Sequence, residues 1–230
     1  EMVYIPEGSF FVGDADTAAV RNASFYRSDA NGRPAGTLRI TGEGPIDIGP
    51  REGALFYQSA NSYQGDRLGP LPAAFPKGTR AFYVMKYELS QGQYAAYLST
   101  LNSPSSGFRA NNAAVSYGDN RGTIHVVNHA YVADKPDRPA NYLSWDDGLA
   151  FADWAALRPM TELEFTKAAR GPGEPVGPND YPWGTTSKTK LLRRVGAEGD
   201  LANTGPASES ALSDDTKELL GASYWWVMDL

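Results

Sequence analysis

Short hydrophobic stretches predict three β-strands in the first 86 residues. Two of them, residues 2–5 and 9–12, lie on either side of a Pro-Glu-Gly turn, and the third covers residues 81–86. The intervening residues 14–80 are rich in Gly, Pro, Asn and Asp, which are typical of turns and loops. We therefore expect residues 14–80 to form a long, mostly irregular insertion with a few short strands, which serves as a decoration or an assembly surface.

Capping boxes predict where three helices begin. In each box a Ser or Thr is followed three positions later by a side chain that can hydrogen bond back to its N–H. The first helix then carries Tyr94, Leu98 and Leu101 on one apolar face and should end near residues 102–104. The three boxes are Ser90–Gln93, Ser144–Asp147 and Thr161–Glu164.

The second and third helices follow the other two boxes. The second is predicted to run to about Leu157, with Leu149, Ala152 and Ala156 on one side. The third is short and should end near residues 171–172, where Gly is followed by Pro.

The rest of the chain is predicted to be mainly loop. Residues 104–139 contain one β-like stretch, Thr123–Val127, and the chain after Gly171 is irregular up to an aromatic run at residues 224–228. Strands and helices do not alternate regularly along the sequence. The pattern therefore predicts an α+β fold and not a doubly wound parallel sheet.

Composition excludes several classes of function. The 230 residues fit one domain, and 41% are hydrophobic, which is enough for a core. A net charge of -6 makes nucleic acid an unexpected partner, and no apolar run approaches the ~20 residues of a transmembrane segment. The sequence contains no cysteine, which excludes disulfides, thiolate catalysis, zinc–thiolate sites and iron–sulfur clusters within these residues.

Six segments, in order, resemble the formylglycine-generating enzyme (sulfatase-modifying factor) family. They include the opening strands, the "kYEvTngqY"-like segment Tyr83–Tyr94 and the "RLPTEaEWE"-like box Arg158–Phe165. The complete set is residues 2–10, 83–94, 138–145, 158–165, 168–171 and 181–184. The resemblance implies a C-type lectin-like variant of the α+β class, with two or three helices, short twisted strands and much irregular loop. It also implies a single domain over residues 1–230, with residues 14–80 inserted in it.

The sequence departs from the family at its end. Family members continue into a "GNvWEW" box and a closing strand, and this resemblance implies that the C-terminal part of the domain is missing after Leu230. The family's paired cysteines, which bind copper and handle oxygen, belong to that part. A sheet without its closing strand has an open edge. We expect that the rest of the chain covers this edge or that another subunit donates a strand to it.

Two pairs of potential metal ligands are better explained by local structure. His125 and His129 are the two histidines, and the β-like stretch around His125 would place them roughly 13 Å apart. Only a helix would bring both onto one face, so an exposed or packed pair in a hairpin is the expectation. Asp146 and Asp147 lie in a predicted first helical turn, where capping accounts for both carboxylates.

A calcium site is implied by the resemblance at residues 200–205. This segment is similar to the one in which the family binds a structural calcium ion, and Asn203 and the carbonyl of Thr204 are the implied ligands. Their oxygens suit a hard cation. An Asx-type turn without an ion explains the same residues equally well.

The sequence favours a non-catalytic, exported binding or assembly module on this scaffold, in adhesion, surface machinery or a filament. The alternative is an oxygen-dependent oxidase of the formylglycine-generating type whose catalytic cysteines lie beyond residue 230. A related iron-dependent sulfoxide synthase would need a three-histidine site in a separate helical domain. The expected partners are a protein or glycan ligand, or its own subunits through the open sheet edge, in an extracellular, cell-surface or periplasmic location.

Overall fold

The computed structural model of the protein describes residues 1–13, 24–58, 69–102, 105, 109, 122–140, 143–174 and 226–229. Within these residues the elements are short strands and three helices, which establishes the predicted α+β composition. The strands are β1 Met2–Ile5, β2 Phe10–Val12, β3 Ser24–Arg27, β4 Leu38–Ile40, β5 Leu55–Gln58, β6 Phe82–Met85, β7 Ile124–Val127, β8 Ala130–Ala133, β9 Arg158–Pro159 and β10 Trp226–Asp229. The helices are α1 Gln91–Thr100, α2 Trp145–Trp154 and α3 Glu162–Arg170.

The described strands form one four-stranded sheet and three two-stranded sheets. The larger sheet has the order β1-β6-β10-β9, and β10 pairs with β9 in antiparallel register, Trp226 opposite Pro159. The smaller sheets pair β2 with β4, β3 with β5 and β7 with β8. Residues 14–80, predicted to be mostly irregular, thus contribute β3, β4 and β5 in their described part.

The three capping boxes predicted from the sequence are confirmed. In each, the Ser or Thr oxygen accepts the backbone N–H three residues later, and that residue's side chain accepts the N–H of the cap. At α1, Gln93 N donates to Ser90 Oγ over 3.2 Å, and Ser90 N donates to Gln93 Oε1 over 3.0 Å. Capping depends on neighbours three residues apart, so it can be predicted without knowledge of the tertiary structure.

The predicted extent and buried face of α2 were wrong in part. The helix ends at Trp154 and not near Leu157, and Ala156 has left a helical conformation, with φ of +56°. Ala156 is therefore exposed, and the buried face of the helix is formed mainly by Phe151 and Ala152. The apolar pattern of the sequence extends beyond the end of α2 because Leu157 also packs against the core, although it lies outside the helix.

Two compact units can be distinguished, and each has its own core. The first comprises residues 1–3, 84–159 and 188–228. Its core in the described residues brings together α1, α2, β7 and the segment after β6. The rings of Tyr97 and Phe151 meet edge to face, with centroids 5.8 Å apart. The buried members of this core are Met85, Leu89, Tyr94, Ala95, Tyr97, Leu98, Ile124, Ala140, Leu143, Phe151 and Ala152.

The second unit comprises residues 4–83, 160–187 and 229–230. Its core is formed by β2, β4, β5 and α3, with Phe10, Val12, Ile40, Leu55 and Leu163 buried together. Two of these strands come from residues 14–80, so the described part of that segment supplies core and not only surface. No helix among the described residues is long and apolar enough to cross a membrane.

Candidate functional site

In the described part of the second unit, a densely hydrogen-bonded polar group surrounds residues 76–80, just before β6. We call it the lysine cluster and define it as Glu43, Lys77, Gly78, Thr79, Glu164 and Lys167. Lys77 and Lys167 are 0% and 4% exposed, and Glu164 is also buried. Lysines are almost never buried without partners, so the contacts of each ammonium group decide what the cluster can do.

Lys167, on α3, is held between two backbone carbonyls and two aromatic rings. Its Nζ donates to the carbonyl oxygens of Pro6 over 2.6 Å and of Gly78 over 2.7 Å. The same nitrogen lies 5.9 Å from the ring centroids of both Phe10 and Phe82, within the range of a cation–π contact. Burial lowers the pKa of Lys167, while the charges of Glu43 and Glu7 act in the opposite direction.

The ammonium group of Lys77 also donates to two backbone carbonyls, but to different ones from those of Lys167. Its Nζ donates to the carbonyl of Pro72 over 2.6 Å and to that of Phe75, and it lies 5.7 Å from the Phe75 ring centroid. Burial lowers the pKa of Lys77, and the Glu43 carboxylate raises it in part.

Glu43, which lies between β4 and β5, accepts hydrogen bonds from the residues just before β6. One carboxylate oxygen accepts the N–H of Lys77 over 2.6 Å. The other accepts the N–H and the hydroxyl of Thr79, over 2.7 and 2.6 Å, and the N–H of Arg80 over 3.2 Å. Burial would raise the pKa of Glu43, but the Thr79 hydroxyl and the N–H groups of Lys77, Arg80 and Thr79 outweigh it, and the pKa is lowered.

The lysine cluster holds residues 76–80 in place through hydrogen bonds within the fold. Each ammonium group donates two of its three N–H groups to carbonyl oxygens, and the carboxylate of Glu43 accepts four donors, so most of their hydrogen-bonding capacity is used within the fold. Helix α3 begins within the box Arg158–Phe165. The box supplies the N-cap of this helix, and the helix supplies Lys167. Their role in this chain is to fix residues 76–80.

The first unit contains a smaller buried polar group at the start of α2. Arg109 Nη1 lies 3.0 Å from Asp147 Oδ1, and the Tyr94 hydroxyl donates to the Arg109 carbonyl over 3.3 Å. Burial raises the pKa of Tyr94, with a further contribution from the Asp147 charge. The second oxygen of Asp147 accepts the N–H and hydroxyl of Ser144. The capping role predicted for Asp147 is confirmed, and an ion pair is added to it.

The two histidines lie in the β7–β8 hairpin. His125 lies on β7, where its Nδ1 is 3.8 Å from Asp134 Oδ2, and His129 lies in the β7–β8 turn with φ of +67°. Both are exposed, in agreement with the predicted strand. Across the described part of the chain, no three His, Cys, Asp or Glu side chains come close enough to hold a metal ion. Asn203 and Thr204, the implied calcium ligands, lie outside the described residues.

Sequence reasoning missed the lysine cluster, although one signal was present. Lys167 follows Leu163 by four positions, so the two share a helix face, and Leu163 is buried. A lysine on an apolar face indicates either a snorkelling side chain or a buried partner. The acceptors of Lys167 lie 161 and 89 residues away in sequence, which no local pattern reveals.

We expect Glu43→Gln to lower the free energy of unfolding at pH 7 by about 1 kcal/mol, because charge-assisted hydrogen bonds become neutral ones at a partly exposed site. The folded pKa of Glu43 lies below its ordinary value of 4.5. The stabilisation is therefore present above about pH 4.5 and is lost as the pH falls through the folded pKa. Urea denaturation of both proteins from pH 7 to pH 3 measures it. A difference that stays constant down to pH 3 would contradict the assignment.

The capped helices, short strands and buried polar cluster define an α+β scaffold domain. The family description "sulfatase-modifying factor enzyme 1-like domain" matches residues 1–214. Because this match covers most of the chain, the protein belongs to the sulfatase-modifying factor family. The resemblance found in the sequence is confirmed.

Three curated proteins share shorter segments with the chain. A formylglycine-generating enzyme from Thermomonospora curvata is 42% identical over 53 residues, which is 23% of this chain and 16% of that protein. Hercynine oxygenases from Mycolicibacterium thermoresistibile and Mycobacterium tuberculosis are 29% identical over 94 residues and 30% identical over 98 residues. Those matches cover 40% and 42% of this chain and 21% and 23% of the relatives. The chain thus aligns with less than a quarter of the length of each relative.

Proposed function

We propose that this chain is the scaffold part of an oxygen-dependent enzyme of the sulfatase-modifying factor family, with a C-type lectin-like fold. The observation that carries the proposal is the family match over residues 1–214, together with relatives that are a formylglycine-generating enzyme and two hercynine oxygenases. Enzymatic relatives favour an enzyme over the non-catalytic module that the sequence alone favoured.

The residues of this chain do not fit either metal that such chemistry implies. A copper site of paired cysteines cannot be built from a sequence with no cysteine, and a three-histidine iron site cannot be built from two histidines. In the proposal, residues 1–230 therefore position the reaction, and thiolate or iron ligands come from polypeptide outside them. The hydrogen bonds of the lysine cluster to backbone groups of the fold support this division between scaffold and chemistry.

An oxygen-consumption assay on the full-length natural protein tests the proposal. One reaction contains copper(I), a cysteine-containing peptide and a thiol reductant that supplies the two electrons needed to form an aldehyde with O2, and the other contains iron(II), hercynine and a thiol donor. We expect oxygen uptake in one of them, with an aldehyde or a sulfoxide product identified by mass spectrometry. A peptide with serine in place of cysteine, and a reaction without hercynine, are the matched controls. Folded protein that consumes no oxygen with either substrate would rule the proposal out.

The second candidate is an exported, non-catalytic binding or assembly module. Large aromatic side chains on the surface favour it: Tyr4, Tyr87, Trp145 and Trp154 are 50%, 60%, 57% and 46% exposed. Amphipathic rings at such positions suit a protein or glycan ligand, and the end strands of the larger sheet suit pairing between subunits. An extracellular, cell-surface or periplasmic location belongs to this proposal. Glycan-array binding by a protein that consumes no oxygen would support it over the enzyme.

We also propose a structural calcium ion held by Asn203 and the carbonyl of Thr204. The support is the family membership and the oxygen chemistry of the two groups, which suits a hard cation. Calorimetric titration with calcium measures it, with Asn203→Ala as the comparison. Equal calcium affinity of the two proteins would contradict this assignment.

A further inference from the structure

The β7–β8 hairpin has one outer edge that α1 occupies. The hairpin pairs Val126 with Tyr131 and Val127 with Ala130, around a two-residue turn with φ of 47° and 67° at Asn128 and His129. Tyr131 N donates to Ser99 Oγ over 2.9 Å, and the Ser99 hydroxyl lies 3.3 Å from the Tyr131 carbonyl oxygen and 3.0 Å from that of Ala95, its two alternative acceptors. A side chain of α1 therefore takes the place of a neighbouring strand at the outer edge of β8.

The outer edge of β7 is different. Residues that oppose each other in an antiparallel pair either exchange both hydrogen bonds or point both sets of backbone groups away from each other. Because the backbone groups of Tyr131 point away from β7, those of its partner Val126 point away from β8. The hydrogen bond from Asp134 N to the Thr123 carbonyl, at 3.3 Å, fits the same alternation. In the part of the chain that the structure describes, no hydrogen bond engages these groups of Val126.

This edge also lacks the features that keep edge strands apart. Val126, Val127 and Val132 are 58%, 44% and 37% exposed, so the hairpin presents apolar side chains on both faces. Residues 124–129 contain no Lys, Arg, Asp, Glu or Pro. Edge strands are usually protected by a charged side chain, a proline or a bulge. An unprotected, exposed and apolar edge is suited to pairing with another strand.

We propose that β7 pairs antiparallel with β7 of a second copy of this chain, across a two-fold axis at Val126. A two-fold axis places identical residues opposite each other, and these residues repel each other when they are charged. The chain as a whole carries a net charge of -6, but residues 124–129 carry no fixed charge, so self-association is not opposed at this edge. Val126 of each copy exchanges both backbone hydrogen bonds with Val126 of the other, and the exposed valines cover one another.

This contact is independent of the proposed enzymatic function, and β7 belongs to a different sheet from the larger one whose end strands suit pairing between subunits. The contact consists of one pair of backbone hydrogen bonds between the two copies and three exposed valines on each copy. Such an interface is small, so we expect a weak dimer whose population depends on concentration. Pairing of β7 with an extended peptide from another protein uses the same backbone groups but does not depend on a two-fold axis. Self-association of the purified chain separates the two.

Sedimentation velocity of the purified protein from micromolar to millimolar concentration tests the dimer. We expect a concentration-dependent dimer whose dissociation constant rises at least ~10-fold in Val126→Lys, because a charge is then repeated across the axis. Ala74→Lys, which adds the same charge at an exposed residue outside the hairpin, is the matched control and should leave the dissociation constant unchanged. A wild-type protein that stays monomeric at millimolar concentration, or equal dimerisation of Val126→Lys, overturns the proposal.

A cross-linking experiment keeps the test decisive if the lysine variant fails to fold. Because the chain has no cysteine, Val126→Cys introduces a single thiol. Residues opposite each other in a hydrogen-bonded antiparallel pair have Cα atoms about 5.5 Å apart, within the range of a disulfide. We expect mild oxidation to link two copies of Val126→Cys at least ~10-fold faster than two copies of Ala74→Cys, a variant with an exposed thiol outside the hairpin, because a preformed contact raises the effective concentration. Equal rates overturn the proposal.

Discussion

Replacing Lys167 with alanine is expected to lower the free energy of unfolding by about 3–4 kcal/mol, one of the largest effects of any single substitution in the described residues. The side chain is 4% exposed, and its ammonium group is a hydrogen-bond donor to the buried carbonyls of Pro6 and Gly78. Alanine removes both donors and the cation that faces the rings of Phe10 and Phe82. It also leaves a cavity where the aliphatic stem was. Urea denaturation at pH 7 measures the loss.

Two further variants separate the causes. Lys167→Met keeps most of the stem but cannot donate, so we expect a loss of about 1–3 kcal/mol from the unsatisfied carbonyls alone. Lys86→Ala is the surface control, because its ion pair with Glu1 is solvent-exposed and its loss should not be resolved in the same titration. If Lys167→Ala unfolds at the same urea concentration as Lys86→Ala, the carbonyl contacts of Lys167 do not stabilise the fold.

How much of this structure could be predicted depends on the range of the interactions involved. The caps at Ser90, Ser144 and Thr161 bring together side chain and backbone atoms only three residues apart, and the sequence predicted all three. Strands β1, β2 and β6 were predicted within one residue because alternation is also local. These elements carry most of the motifs by which the family can be recognised.

The missed features depend on distant partners. Strand β8, Ala130–Ala133, has no clear alternation, and it forms because β7 pairs with it and Ser99 satisfies its outer edge. Glu43 meets its donors 34 to 37 residues away, and Lys167 reaches a carbonyl 161 residues away. The candidate site was therefore less predictable than the fold class. The calcium ligands Asn203 and Thr204 rest on resemblance alone and stay a prediction.

Gly78→Ala is expected to destabilise the protein by about 2–4 kcal/mol, through backbone strain and a close contact together. Gly78 has φ of +82°, where a side chain is unfavourable. A Cβ atom added there would lie 3.2 Å from both Cα and Cγ of Glu164. Glu164 cannot move away easily, because its side chain and N–H complete the capping box of α3. The Gly78 carbonyl is also an acceptor for Lys167, so a shift here disturbs the lysine cluster.

Gly53→Ala separates the two causes, because Gly53 has nearly the same φ, +77°, but a methyl group added there would meet no atom within 4 Å. We expect Gly53→Ala to show only the backbone strain, about 1 kcal/mol, and Gly78→Ala to exceed it by the cost of displacing Glu164. Equal losses in the two variants would mean that α3 yields without resistance. The added methyl group would still face the Cα of residue 164 in a Glu164→Ala background, where only the contact with Cγ is removed. A larger loss at Gly78 that becomes smaller in this background would show that the Glu164 side chain resists the added methyl group, and that residues 76–80 and α3 stabilise each other.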